Sequence, residues 1–71
     1  MNFIKLNGAR TGKPIFINLD DIKTMEAGCN DDSETIISFK SDGYFTAAHP
    51  LSKIMKKIHS LNTSTILVVG E

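Results

Sequence analysis

At His49-Pro50 the spacing of apolar residues changes, and that change narrows the folds open to the chain more than any other feature. Upstream, short apolar runs alternate with clusters of turn formers, the pattern of β-strands. Downstream, Leu51, Ile54, Met55, Ile58 and Leu61 recur at helical spacing and mark one apolar stripe. Pro50 suits the first helical position, where an amide hydrogen would have no intrahelical acceptor. Lys53, Lys56, Lys57 and His59 fall on the other faces and gather late in the helix, where its dipole favours positive charge. Asn62 is a suitable stop.

The strand-like part divides readily. Residues 3–6 suggest a first strand, and Asn7 to Lys13 supply a turn in which Gly8 and Gly12 are free to take positive φ. Residues 14–18 read as a second strand with Pro14 at its tolerated first position. Asn18-Leu19-Asp20-Asp21 predicts a tight turn, since Asn and Asp side chains accept from backbone amides just ahead of them. Residues 22–27 form a third strand of ambiguous period, and residues 28–34 a polar, acidic loop. Around Ser41-Asp42-Gly43, residues 35–40 and 44–48 carry the strongest hairpin signal in the chain. Residues 65–69 read as a last strand. The expectation is one α+β domain over residues 1–71, an antiparallel sheet of four or five strands with one helix packed across it.

A chain of 71 residues buries only about 60% of the surface its unfolded form exposes, which leaves no room for separate cofactor and substrate domains. Eight basic and eight acidic side chains cancel, whereas general nucleic-acid binders carry a basic excess. The single cysteine, Cys29, excludes an internal disulfide. The first residues lack the long apolar core of a signal peptide, and Ile66-Leu67-Val68-Val69 is too short to span a bilayer. A soluble, cytoplasmic protein is expected.

No group of residues converges on chemistry. Gly8-Ala9-Arg10-Thr11-Gly12-Lys13 has too few residues between its glycines for a phosphate-binding loop, Pro14 where that loop has Ser or Thr, and a strand where it has a helix. His49 and His59 lie about 15 Å apart along the helix axis and cannot share an ion within one chain; a site between chains stays open. Asn30-Asp31-Asp32-Ser33-Glu34 lacks the alternation and central glycine of a calcium loop and reads as solvated. Beside that run, negative charge opposes the thiolate that Cys29 would need as a nucleophile. We therefore expect no catalytic, cofactor-binding or metal-ligating residues, and no enzyme.

Two features suggest contact with other molecules. Lys53, Lys56, Lys57 and His59 make a helix side suited to an acidic partner or a phosphate backbone, or simply to solvent. Ile66, Leu67, Val68 and Val69 have no alternation, so both faces of that strand need cover. Either it lies centrally in the sheet or it pairs with a second copy of the chain, and the second is expected because it also enlarges a small core.

Phe3 to Gly8, the segment Ile15 to Ile22 with Asn18 and Asp20, then Met25-Glu26, 35–39 and 51–58 together resemble the FlbD-like family of small bacterial proteins, over residues 3–59. The first hairpin is enlarged by Arg10-Thr11-Gly12, the family's acidic-Ser helix start is Ala48-His49-Pro50, and residues 63–71 have no counterpart. Similar layouts occur in short phage and mobile-element proteins. The resemblance implies a small, non-enzymatic accessory protein with no catalytic residues to transfer. The expected function is thus a protein-interaction module, an adaptor, regulator or inhibitor acting as a homo-oligomer such as a dimer. The alternatives are weak, sequence-blind nucleic-acid association and a small-ligand-binding oligomer with a pocket between subunits.

Overall fold

A computed structural model describes residues 2–29 and 31–60 with their side chains, and the backbone of residues 66–68. The elements are β1 (Phe3–Asn7), β2 (Pro14–Asn18), a 3-10 turn (Leu19–Asp21), β3 (Ile22–Ala27), β4 (Thr35–Phe39), β5 (Tyr44–Ala47), α1 (Leu51–His59) and β6 (Ile66–Val68). The α+β class holds. In place of a single sheet there are two of three strands each, β2-β1-β6 and β3-β4-β5. Five strands pair antiparallel, and β6 runs parallel to β1 with Phe3 beside Ile66 and Lys5 beside Val68. Leu61, Asn62, Thr65 and Val69, assigned from sequence to the helix end and the last strand, lie outside the described residues, as does Asn30.

The sheets are joined by an antiparallel bridge between Gly8 and Ala47. Its geometry follows from the alternation of backbone groups along a strand. Even-numbered residues of β1 bond toward β2: the Gly8 N–H donates to the Lys13 carbonyl at 2.9 Å, and the Asn2 carbonyl accepts from Leu19 at 3.0 Å. Odd-numbered residues bond the other way, and two strands share that side. Phe3–Lys5 pair with β6. Farther along, the Asn7 carbonyl accepts from Ala48 at 2.8 Å and the Ala9 N–H donates to Thr46 at 2.9 Å. The Asn7 N–H falls at the changeover between the two partners.

Local chemistry explains the turns. Asn18 caps the 3-10 turn by accepting from the Asp20 amide at 3.0 Å, as expected. Asp21 then reaches across to the β4–β5 turn, accepting from the Ser41 amide at 3.2 Å and its hydroxyl at 2.9 Å. In that turn Asp42 (φ 103°) and Gly43 (φ 86°) both take positive φ. Gly12 does so as well, at φ 70°; Gly8 does not. Gly8 sits in close quarters: a Cβ there would stand 3.0 Å from Thr11 Oγ1 and 3.4 Å from the Phe45 ring, so a side chain would have to shift to admit it.

Ile4 and Leu6 of β1, Ile17 of β2, Ile37 of β4, Ala47 of β5 and Ile54 of α1 form the buried core. Leu19, Ile22, Met25, Phe39, Phe45 and Ile58 pack around it. A bulge between Ile22 and Thr24 accounts for the ambiguous period of β3: it turns two apolar residues three apart toward one core. The helix lies against β3 and β6 with Ile54 fully buried and Leu51, Met55 and Ile58 half-buried, the stripe anticipated from its spacing.

Candidate interaction surfaces

His49, which the sequence places beside the helix start, is buried at 6% exposure and closes the gap in β1's pairing. Its Nε2 accepts the Asn7 N–H at 3.0 Å, so the neutral ring carries its proton on Nδ1. Burial, with a smaller contribution from the Lys53 charge, holds its pKa below the ordinary histidine value. The His49 carbonyl accepts from the buried Thr35 hydroxyl at 2.7 Å. This histidine is a structural tie between β1, β4 and the helix start, with its ring acceptor already used.

The remaining polar candidates lie at the surface. His59 is exposed on the last helical residue, and Lys53, Lys56 and Lys57 are exposed alongside it, on the sides of α1 turned from the core. Asp31 accepts from the Ser33 hydroxyl and amide, which hold its carboxyl below the usual carboxylate range. Those bonds and the Glu34-to-Asp31 backbone bond (3.1 Å) shape the loop that Cys29, exposed and free, enters. Among the described residues no three His, Cys, Asp or Glu side chains are grouped to hold a metal ion. No described helix is long and apolar enough to cross a membrane.

Three regions offer contact surface. Strand β6 ends the order β2-β1-β6, so one of its sides bonds to β1 and no described strand occupies the other. At the opposite edge, β2 exposes Ile15 (37%) and Phe16 (54%). These neighbours point to opposite faces of the strand, so β2 overhangs the core on both. The third region is a groove of about 610 Å³ between the β1–β2 loop and the start of β5, lined by Gly8, Ala9, Arg10, Thr11, Tyr44, Phe45 and Thr46. In the sequence these residues read as a turn and a strand. The chain's sole arginine, midway between Gly8 and Gly12 in a turn, is the available signal, but its nearness to Tyr44 depends on the Gly8–Ala47 bridge. Comparison with protein-family models, with curated proteins and with solved structures finds no match to the chain.

Proposed function

We propose that the chain is a non-enzymatic protein-interaction module, an adaptor, regulator or inhibitor within a larger assembly, that self-associates through Ile66, Leu67, Val68 and Val69. The terminal place of β6 in its sheet carries this reading. An uncharged apolar strand with an unpaired side is a template for another chain, and proteins that avoid such pairing blunt the edge with charge or proline. A two-fold partner aligned on that edge would complete its hydrogen bonds and add the apolar burial that a chain of this size lacks. The exposed Lys53, Lys56, Lys57 and His59 then offer a separate surface for an acidic protein partner. The FlbD-like resemblance, and the phage and mobile-element proteins of similar layout, suit this accessory role. A lone, free Cys29 suits a reducing, cytoplasmic setting.

Sedimentation equilibrium tests the reading. A dimer with a dissociation constant of ~10 µM, or about −7 kcal/mol, is largely assembled at about 100 µM. Val68→Lys is expected to shift that equilibrium toward monomer, with circular dichroism reporting whether the fold survives. A wild type that stays monomeric at that concentration refutes self-association through β6. Phosphate contacts by the helix lysines would weaken steeply between about 50 and 200 mM salt, whereas strand pairing is expected to persist.

A further inference from the structure

The groove beside β5 is an interrupted β-ladder. In the β4–β5 hairpin the Phe39 N–H donates to Gly43 at 3.1 Å, which places the odd-numbered residues of β5 toward β4. Tyr44 and Thr46 therefore direct their backbone groups to the other side, toward β1. Only the first step of that ladder is filled. Thr46 accepts the Ala9 N–H, and then the chain turns away through Arg10 and Thr11, Gly12 donating back to Gly8 at 2.9 Å. Among the described residues, the Thr46 N–H and both backbone polar groups of Tyr44 have no partner. They face the groove.

The walls favour one kind of occupant. Tyr44 is 75% exposed and offers its ring as an apolar wall. Arg10 on the opposite wall is the chain's only arginine, and no carboxylate lines the groove with it. Its guanidinium can take a carboxylate through two parallel hydrogen bonds, a geometry that a lysine does not match. The space of about 610 Å³ is partly open to solvent.

We propose that this groove takes a short extended peptide bearing a carboxylate, which continues the ladder beyond Ala9 by pairing with β5 at Tyr44 and sets its negative charge on Arg10. The ladder bonds supply sequence-independent affinity, and the carboxylate with the Tyr44 ring supplies selectivity. The proposal rests on the interaction-module reading and gives one partner its chemistry; it uses a different edge from the one assigned to self-association.

The test is an NMR titration of the ¹⁵N-labelled full chain with an acetylated pentapeptide of alternating valine and threonine ending in a glutamate with a free C-terminus. The amide signals of Tyr44 and Thr46 and the Arg10 side-chain Nε signal are expected to move together. Arg10→Gln is expected to weaken binding at least tenfold and Arg10→Lys by less. A peptide N-methylated at the ladder-facing positions is expected to lose binding while keeping its charge. Equal shifts with acetate alone would reduce the groove to an anion site and overturn strand addition. Shifts confined to β2 or β6, shifts indifferent to Arg10→Gln, or none at about 1 mM peptide (about −4 kcal/mol) would overturn the proposal. Sedimentation of Arg10→Gln separates the two readings, because its self-association should match the wild type. A chain that binds peptide yet never dimerises refutes the β6 assignment alone.

Discussion

Replacing His49 by phenylalanine keeps a ring in the buried site and removes the acceptor that the Asn7 N–H uses at 3.0 Å. Among the described residues β6 pairs with β1 as far as Lys5, and β5 meets β1 through the Asn7 carbonyl, so none of them offers the Asn7 N–H another acceptor. A buried donor left without a partner costs about 1–3 kcal/mol, and the Asn7 bond, being part-buried, falls toward the lower end of that range. That is a large share of the stability of so small a domain. The effect has a pH signature. Only the unprotonated ring accepts at Nε2, and burial, then Lys53, hold the folded pKa below the ordinary value. The unfolded chain takes up its proton near pH ~6.5, so between that value and the lowered folded pKa it binds more protons than the native state. The stability owed to neutral His49 is therefore complete above about pH 6.5 and is lost as pH falls from there through the folded pKa, by at most ~1.4 kcal/mol per pH unit. Urea unfolding of wild type and His49→Phe from pH 8 to pH 5 measures it, with His59 and the carboxylates common to both chains. The wild type is expected to be more stable at neutral pH by an amount toward the lower end of about 1–3 kcal/mol, with the difference shrinking toward acid. A difference that does not change with pH, or a phenylalanine variant as stable as the wild type at neutral pH, refutes the argument.

Two further substitutions test the core and the hairpin. Ile54→Ala empties the one fully buried position on α1 and is expected to cost about 2–5 kcal/mol in urea unfolding, more than Ile58→Ala, whose side chain is half-buried. A loss under about 0.5 kcal/mol would mean that the helix does not seal the core. Gly43→Ala meets no atom within 4 Å, so its cost is conformational alone. At φ 86° that cost is about 1 kcal/mol, read as a lowered thermal midpoint; no change would place Gly43 outside the left-handed region in solution.

Much of the layout is legible in sequence because local chemistry dictates it. Asp42-Gly43 can sit at positive φ, Asn18 carries its own cap, and the stripe through Ile54 and Ile58 needs only the helical period. These features depend on neighbours a few residues away. Local spacing contains nothing of the Gly8–Ala47 bridge, of β6 running parallel to β1, or of His49 bonding Asn7 forty-two positions back. Those contacts depend on which backbone groups remain unpaired once the strands have met, and a side chain's sequence neighbours do not encode that. The bulge in β3 is similar, since its broken period makes sense only against the core it serves. The candidate sites divide the same way. The apolar run at 66–69 and the helix lysines can be picked out by composition, but the groove between Arg10 and Tyr44 exists only because the chain leaves the ladder after Ala9. Residue types and local spacing determined the elements; long-range pairing determined which backbone edges stayed open, because a hydrogen bond between strands is specified by both partners at once.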